Sequence, residues 1–455
     1  MLLNFTCDNF KSFREGFDFN MTPAKRMTDL SYSILKETVP GGVQTGLPTS
    51  VIYGPNAAGK TSVVDAMSCM RQIVLRGNIR DVTNGHSGSH VSGGLSLAPC
   101  AFRDDATPVG FDVSFTHNGM KYRYVLSAFL GGFLERNVER HIDRERLFVN
   151  DSLVFERTKD AVDELRLDAI ASYLNVGYEL KDSEKTRRAM SDNMDHESLL
   201  LVSDFNSFCS KRLVSEIRTW FEEQLIVVNS ADVTRLHPGM YGDDGCALTN
   251  AYINRVAQEA GAIGSDLVSV SDPETHATRL MSYLQKTDGT VSGLDADGIE
   301  SAGTMRLISI MPLIISALRR GAVLVMDDLD SSLHPMAVMS LINVFHNDGV
   351  NKRGAQLIFN THNPIYLGYN LFRRDEVKFV ERDRESKSSS LYALSDFRTD
   401  GRASVRKTDD YMMGYLMFRY GAIEDVDVND IIQDVLKGDE GTDWEGVESL
   451  PHLCS

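Results

Sequence analysis

The stretch Gly54-Pro55-Asn56-Ala57-Ala58-Gly59-Lys60-Thr61 decides the fold of this chain of 455 residues. It matches the pattern G-x-x-x-x-G-K-[ST], in which a glycine-rich loop turns its backbone N–H groups toward phosphate oxygens. The apolar residues 51–53 precede the loop. The residues that follow it at helical spacing are also apolar, namely Val63, Met67, Met70 and Val74. Strand, loop and helix in this order predict a nucleotide-binding P-loop.

The loop also supplies the predicted ligands of a nucleotide and its metal ion. Lys60 is placed to reach the β and γ phosphates of ATP, and the hydroxyl of Thr61 is placed to bind Mg²⁺. The residues that we expect to contact the nucleotide are Gly54, Asn56, Gly59, Lys60, Thr61 and Ser62. ATP and Mg²⁺ are therefore the expected cofactors.

A second strand that serves the phosphate site is predicted just before residue 327. The aliphatic run 322–326 ends in Asp327 and Asp328. Adjacent carboxylates at the end of a buried strand suit magnesium binding and water activation. We assign the metal to Thr61 and Asp327, and the orientation or deprotonation of the attacking water to Asp328. A strand that ends in two solvated acids gives the same pattern, so this prediction depends on the P-loop.

Two further elements complete the predicted site. Ser301 begins a helix that ends at Gly321, and its N-terminus, with Gly303, can bind a phosphate, although helix capping alone explains the same residues. The apolar strand that starts at Gln356 carries His362 to its carboxyl end, where ligands bind in α/β sheets. A lone histidine is more often structural, but the order of the four elements favours a catalytic role for His362.

The composition bounds the classes of function. Lys plus Arg number 47 against 64 Asp plus Glu, so the net charge is −17, which argues against broad binding to a phosphate backbone. Two basic clusters carry interspersed acids, and we interpret them as solvated surface. Their members are Arg136, Arg140, Arg144 and Arg146 in the first, and Lys185, Arg187 and Arg188 in the second.

Cysteine usage and hydropathy indicate the cellular compartment of the protein. The six cysteines lack a C-x-x-C pair, and we expect reduced thiols in a cytoplasmic protein. The amino terminus lacks the pattern of a signal peptide. The longest apolar stretch, residues 308–318, is shorter than the roughly 20 residues that cross a bilayer, so we predict no membrane segment.

The pattern of apolar residues predicts an α/β fold. Residues 111–124 alternate around Asn118-Gly119, which predicts a β-hairpin. Helical spacing runs from about residue 157 to Leu225. Strands at 323–326 and 357–359 flank a helix at 336–345. We divide the chain into an N-terminal ATPase lobe (1–156), a helical insertion (157–265), a C-terminal ATPase lobe (266–400) and a tail (401–455).

The order of these motifs resembles that of the ABC-type ATPases of the OLD, RecF and AbiL (RloA-like) group. Walker A at Gly54, a signature at Ser301, Walker B at Asp327 and a switch histidine at His362 follow one another as in that group. Residues 9–13 are similar to its first strand. Three tail motifs, at residues 373–377, 391–396 and 419–423, are similar to those of its stand-alone anti-phage defence ATPases.

The resemblance implies an ABC-type P-loop ATPase head with a mixed sheet, a β-rich N-terminal lobe and a helical insertion. It also implies a homodimer or higher homo-oligomer in which each ATP is held by the P-loop of one subunit and by Ser301 and Gly303 of the other. Such ATPases sense a phage trigger and control a separate toxin or nuclease effector encoded nearby. A RecF-like DNA-repair or DNA-loading ATPase is the alternative.

The sequence departs from the pattern of the group at two points. Asp328 stands where the group usually has Glu, which predicts slow hydrolysis. No Q-loop glutamine is evident, and only the position near Phe102 is suggestive. Asp425-Val-Asp427 has the spacing of a Toprim nuclease site, but too little chain follows His362 for that domain, so we do not predict nuclease activity. The long separation of Gly54 from Ser301 disfavours a transporter subunit.

Overall fold

A computed structural model of the protein describes residues 1–433, apart from residues 26, 28, 81–96, 134, 136–137, 230–249, 263–264, 272–277, 369, 398–404, 407, 425–426 and 431. The chain forms two compact units, Met1–Ala422 and Ile423–Ser455. The elements that follow belong to the first unit. Arg136 and Asp425, which the sequence analysis names, and two of the six cysteines, Cys246 and Cys454, lie outside the described part.

The helices in the described ranges are α1 (Lys60–Arg76), α2 (Ser183–Asp192), α3 (Lys211–Thr219), α4 (Asn250–Glu259), α5 (Ala302–Arg320), α6 (Pro335–His346) and α7 (Tyr411–Leu416). Two segments, Leu201–Cys209 and Trp220–Gln224, have π-helical hydrogen bonding. The helices between residues 183 and 224 lie within the insertion predicted at 157–265, but that range also contains the strands Val162–Leu165 and Leu225–Val228.

The strands in the same ranges are β1 (Leu2–Asp8), β2 (Phe17–Asn20), β3 (Leu35–Val39), β4 (Gly42–Gly46), β5 (Thr49–Tyr53), β6 (Val109–His117), β7 (Met120–Phe129), β8 (His141–Val149), β9 (Ser152–Thr158), β10 (Val162–Leu165), β11 (Leu225–Val228), β12 (Ser265–Ser271), β13 (Thr278–Gln285), β14 (Val291–Asp295), β15 (Val323–Met326), β16 (Gln356–Asn360), β17 (Val377–Arg382) and β18 (Ser389–Ala393). This mixture of sheets and helices confirms the predicted α/β class.

The N-terminal lobe is built on an antiparallel sheet in the order β10-β9-β8-β7-β6-β1-β2. Along β6 and β7, buried side chains alternate with mostly half-buried ones, as expected for a sheet with one face on the core. The predicted hairpin is confirmed: β6 pairs with β7, and the turn residues Asn118 and Gly119 have φ angles of 50° and 72°. Positive φ at both central residues matches the twist of a two-residue hairpin.

The second sheet has the order β11-β15-β16-β5-β17-β18. From β11 to β17 neighbouring strands are parallel, and only β18 is antiparallel. Strands β5, β15 and β16 are buried along their whole length, which explains their uninterrupted apolar sequences. The predicted strands at 323–326 and 357–359 are thus confirmed. The carboxyl ends of β15, β16, β5 and β17 meet at one edge.

Helix α5 begins and ends where its capping residues predict. The Ser301 Oγ accepts a hydrogen bond from the Thr304 N–H at 3.0 Å, and Gly321, with φ of 68°, ends the helix. The helix is long and apolar enough to cross a bilayer, but 61% of its most apolar window is buried within the protein. That burial is typical of the core helix of a folded domain.

The helix predicted to run to Leu225 ends earlier. Helix α3 ends at Thr219, the π-helical segment Trp220–Gln224 follows, and Leu225 begins the strand β11. The residues Leu225-Ile-Val-Val pair in parallel with β15. A short apolar run fits either a helix or a buried strand. Here the hydrogen bonds to β15, at the edge of the parallel sheet, stabilise the strand.

Gln356, the first residue of β16, joins the two large sheets. Its buried side chain accepts a hydrogen bond from the Leu2 N–H at 2.6 Å and donates to the carbonyl oxygens of Leu2 and Leu47 at 3.1 and 2.9 Å. The start of β1 and the segment before β5 are therefore fixed to a strand that lies more than 300 residues further along the chain. Such buried amide bonds specify which segments meet, because an unpaired amide in the core is costly.

Candidate functional site

The topology gathers the predicted site residues at the carboxyl edge of the parallel sheet. The P-loop follows β5, Asp327 and Asp328 follow β15, and His362 follows β16. Because β16 lies between β5 and β15, the three loops are neighbours although their residues are distant in sequence. A cavity of about 670 Å³ opens here, and it is lined by Asn56, Gly59, Lys60, Thr61, Ser62, Asp328 and His362, among others.

The two glycines of the P-loop pattern occupy positions that no larger residue fits. Gly59 has φ of 112°, and a Cβ there would lie 2.7 Å from the Ser12 Oγ and 2.8 Å from the Ser389 Oγ. A Cβ at Gly54 would lie 2.3 Å from the Val380 carbonyl oxygen. The loop thus follows a narrow path between the N-terminal lobe and the strands β17 and β18, which leaves its backbone free to face a ligand.

Lys60 is a buried cation at the floor of the cavity. Only 6% of it is exposed, and its Nζ donates to the carbonyl oxygens of Gly54 and Pro55 at 2.9 Å each. Burial lowers the pKa of Lys60 to about 8, while the charges of Asp328 and Asp327 act in the opposite direction. A partly desolvated ammonium gains strongly from a polyphosphate, because opposite charges attract more in low dielectric.

Thr61 and Asp327 form the pair to which the sequence assigned a metal ion. The Thr61 Oγ1 donates to the two carboxylate oxygens of Asp327 at 3.1 and 3.4 Å, and the Asn360 Nδ2 donates to one of them. Burial raises the pKa of Asp327, and the hydrogen bonds from Asn360 and Thr61 act in the opposite direction. A hydroxyl and a carboxylate are hard oxygen donors that fit Mg²⁺ beside a phosphate.

Asp328 lies at the end of β15 in an unusual backbone conformation. Its φ of 49° is in the left-handed region, which residues other than glycine seldom adopt. The Asn360 Oδ1 accepts from its N–H at 2.6 Å, and the Arg306 Nη2 donates to its carbonyl oxygen at 2.6 Å. These contacts hold the peptide groups on both sides of Asp328 and aim the residue at the cavity.

His362 follows β16 and lines the cavity beside the P-loop. Its side chain is exposed and shares the cavity lining with Lys60 and Asp328. Partial desolvation in the cleft, then the charge of Lys60, lower the pKa of His362, and the nearby carboxylates act in the opposite direction. The ring is thus favoured in its neutral form near neutral pH, where it can accept or donate a hydrogen bond.

Ser301 and Gly303 do not line this cavity. Ser301 is exposed at the start of α5, and Gly303 packs so closely that a Cβ there would lie 2.6 Å from the Ser332 carbonyl oxygen. The helix N-terminus that was predicted to bind phosphate is thus held beside the segment that follows Asp328, on the protein surface. Within one subunit it does not reach the P-loop cavity.

Several lining residues received no ligand role from the sequence. They include Lys11, Ser12, Phe102 and Arg382. Lys11 forms an ion pair with Asp65 of α1 at 2.5 Å, and the Arg382 guanidinium lies 4.7 Å from the centre of the Phe102 ring. Arg382 is the last residue of β17. Its position beside the P-loop follows from the parallel pairing of β17 with β5. The sequence alone does not reveal that pairing.

The first tail motif supports the sheet from its other end. The Arg373 guanidinium pairs with the Asp375 carboxylate at 2.8 and 2.9 Å. The backbone N–H of Arg373 donates to one carboxylate oxygen of Glu376 at 2.8 Å. The other Glu376 oxygen contacts the His346 Nε2 at 3.0 Å, and this nitrogen also contacts the Thr49 Oγ1 at 2.9 Å. These buried contacts fix the start of β5, so this motif is structural.

The second and third tail motifs pack on each other. The Tyr392 hydroxyl donates to the Tyr420 carbonyl oxygen at 2.7 Å, and the rings of Tyr420 and Phe379 stack with centres 5.9 Å apart. Tyr420 is buried, and Gly414 leaves room for its ring. These motifs cover the β17 side of the sheet and lie outside the cavity.

Four members of the two basic clusters are paired with acids. Glu184 accepts hydrogen bonds from Arg187 and Arg188, Lys185 lies 3.5 Å from Asp182, and Arg144 lies 3.6 Å from Glu156. Such exposed pairs leave little free positive charge for a phosphate backbone. This agrees with the interpretation of both clusters as solvated surface.

The fold and the site define a P-loop ATPase. The family model described as "AAA domain, putative AbiEii toxin, Type IV TA system" matches residues 50–183 and 212–367. The chain therefore belongs to this AAA-domain family, and membership implies ATP binding and hydrolysis. The predicted ATPase family is confirmed at this level. No match was found among curated proteins.

Solved structures of SMC heads also align with the chain. The SMC head domain from Thermotoga maritima is 15% identical with a TM-score of 0.37, and the alignment covers 86% of this chain and 98% of that chain. The SMC head bound to the C-terminal winged-helix domain of ScpA is 12% identical with a TM-score of 0.40, covering 86% and 97%. An SMC head from Pyrococcus furiosus, with an extended coiled coil and bound to the C-terminal domain of ScpA, is 12% identical with a TM-score of 0.35, covering 86% and 96%. The family assignment rests on the family model alone.

Proposed function

We propose that this protein is the ATP-binding and ATP-hydrolysing sensor and regulatory subunit of a prokaryotic anti-phage defence system. It acts in the cytoplasm, dimerises around ATP, and controls a separate toxin or nuclease effector. The observation that carries the ATPase part is the convergence of Lys60, Thr61 and Asp328 on one cavity. The tail motifs and a family model named after a toxin system support the defence part.

In this proposal the phosphates of ATP lie along the backbone of residues 54–61, and the α1 N-terminus adds positive potential. Lys60 leaves the carbonyl groups of its own loop to bind the β and γ phosphates. Thr61 and Asp327 hold Mg²⁺, which would neutralise charge on the phosphates when bound. Asp328 orients or deprotonates the attacking water, and His362 contacts the γ phosphate side of the cavity.

The exposed position of Ser301 supports a composite site. Because α5 presents its N-terminus to solvent and not to its own P-loop cavity, we assign the phosphate contact predicted for Ser301 and Gly303 to a second copy of the chain. Two copies related by a two-fold axis would bury two such sites at one interface. ATP then acts as part of the interface, and its hydrolysis separates the subunits.

The experiment that tests this function co-expresses the protein with the genes beside its own and challenges the cells with phage. We expect protection that Lys60→Ala abolishes and that Lys352→Ala, a change at an exposed lysine remote from the cavity, preserves. The mass of the purified complex with and without ATP reports assembly. Full protection by Lys60→Ala, or no protection by the natural sequence, would refute the defence role and leave the ATPase assignment in place.

A further inference from the structure

Arg306 links the helix that begins at Ser301 to the catalytic edge of the sheet. It lies in the second turn of α5, and its Nη2 donates to the carbonyl oxygen of Asp328 at 2.6 Å. The same helix therefore presents Ser301 to a second subunit and holds the backbone of the residue proposed to orient water.

The contact is one half of a clamp on Asp328. Asn360 of β16 accepts from the N–H of Asp328, and Arg306 donates to its carbonyl oxygen. Since the direction of a side chain follows from its backbone, the two contacts set where the Asp328 carboxylate points. The left-handed φ of 49° is a conformation that persists only where neighbouring groups enforce it.

The surroundings of Arg306 connect it to the acidic residues at the end of β15. Among the described residues, Arg306 forms a hydrogen bond only with Asp328, and its Nε is buried without a partner. Burial lowers the pKa of Arg306, and the carboxylates of Asp328, Asp330 and Asp327 act in the opposite direction. The half-buried guanidinium loses part of its hydration, and the charges of these carboxylates offset that cost.

We infer that Arg306 is a positioning residue, which ties the orientation of the Asp328 carboxylate to the helix that begins at Ser301. The inference rests on the proposed function, in which Ser301 contacts the ATP bound by the partner subunit. Arg306 thereby holds Asp328 in place for the ATP bound by Lys60 of the same subunit, and it joins Asp328 to the helix that contacts the partner's ATP.

The first test compares Arg306→Met and Arg306→Lys with the control Arg319→Met. Arg319 is exposed near the other end of α5, roughly 20 Å along the helix. We expect Arg306→Met to lower kcat about tenfold or more, since it removes a charge-assisted hydrogen bond, while Kd for ATP and Tm stay unchanged. Arg306→Lys should recover part of kcat because an ammonium can still donate. An unchanged kcat, or an equal loss of kcat and ATP affinity, overturns the inference.

The second test places the substitution in one subunit of a mixed dimer. The chain with Ser301→Arg keeps its own P-loop and Asp328, and the chain with Lys60→Ala donates an intact Ser301, so one functional site forms. Arg306→Met in the first chain should lower turnover, and in the second chain it should not. If turnover falls only when the second chain carries Arg306→Met, then Arg306 acts through Ser301, and the inference is wrong.

The outcomes separate this inference from the proposed function. Absence of turnover in the mixed dimer that carries no change at Arg306 refutes the composite site itself. Turnover in that dimer, with no effect of Arg306→Met in either chain, refutes only the role of Arg306. In both cases the first test still reports on Asp328, because kcat is measured on dimers of a single chain type.

Discussion

Lys60 carries the positive charge of the P-loop, residues 54–61. Its substitution is the simplest test of the nucleotide site. Lys60→Ala should abolish tight ATP binding, because the loop loses the cation that faces the β and γ phosphates. The fold should survive, since among the described residues the Nζ donates hydrogen bonds only to the loop carbonyls of Gly54 and Pro55. Nucleotide titration of the variant, with its Tm as control, measures both. Wild-type affinity in a folded variant would remove residues 54–61 from the site.

The pKa of about 8 at Lys60 predicts a pH dependence of ATP binding. A polyphosphate favours the protonated amine, so below pH 8 the full charge is present, and above it binding must take up a proton. Kd for ATP should therefore rise by at most about tenfold per pH unit above pH 8. Lys60→Arg, which stays charged, should flatten the profile between pH 7 and 9. A flat profile in the natural sequence contradicts the prediction.

Asp328 predicts a slow ATPase, because its carboxylate is about one methylene shorter than the Glu usual at this position. We expect Asp328→Glu to turn over at least as fast as the natural sequence. Asp328→Asn should bind ATP but lose roughly 10²–10⁴-fold in kcat, the range for removal of a general base. Steady-state hydrolysis and ATP titration of both variants check this. If Asp328→Asn kept its turnover, the catalytic role would belong to another residue.

For single residues, the sequence was sufficient to identify those that belong to a short motif. Lys60, Thr61 and Asp327 could be predicted because their spacing is local to one loop or one strand. Asn360, which holds both Asp327 and Asp328, had no such signal, since its role arises from β16 lying between β5 and β15. The roles assigned to these residues remain predictions.

Among the helices and strands, α5 determines whether two subunits bind the same ATP. Lys60→Ala and Ser301→Arg should each be inactive alone, because one lacks the cation and the other blocks the helix N-terminus. Mixing them should restore turnover to at most about half of the wild-type sites, since one site of a mixed dimer joins the intact parts. The contact must be direct, because a helix terminus acts only within about a turn.

The control for this experiment is the mass of the mixture. If mixed dimers form and hydrolysis does not return, the head-to-tail arrangement is wrong and Ser301 is a helix cap only. Co-purification through two different tags isolates the mixed species, so that slow subunit exchange cannot hide recovery.

Helix and strand positions were predictable where local chemistry fixes them. The cap at Ser301, the terminator Gly321 and the turn Asn118-Gly119 define their elements without help from the rest of the chain. Leu225 was misassigned because its apolar run fits two structures, and only pairing with β15 distinguishes them. Strand order, which sets the cavity, depends on contacts across hundreds of residues and leaves no local pattern.

For the whole molecule, the net charge of −17 predicts weak binding to nucleic acid. We expect little sequence-specific DNA affinity, and the residual binding should vanish at moderate salt, because only local patches meet phosphates. A salt titration of binding to a labelled duplex, with and without ATP, measures this. Nanomolar affinity at physiological salt would favour the RecF-like alternative over the defence role.

The order of strands around β5 also governs how the protein is made. Both neighbours of β5, the strands β16 and β17, lie near the far end of the chain. At about 5–20 residues per second, a ribosome that has released β5 needs roughly 15–60 s to supply them. Throughout that interval the strand has two unpaired edges and an apolar sequence, a combination that invites aggregation. The nascent chain therefore exposes β5 until β16 and β17 have been made, and nucleotide binding can begin only after that point.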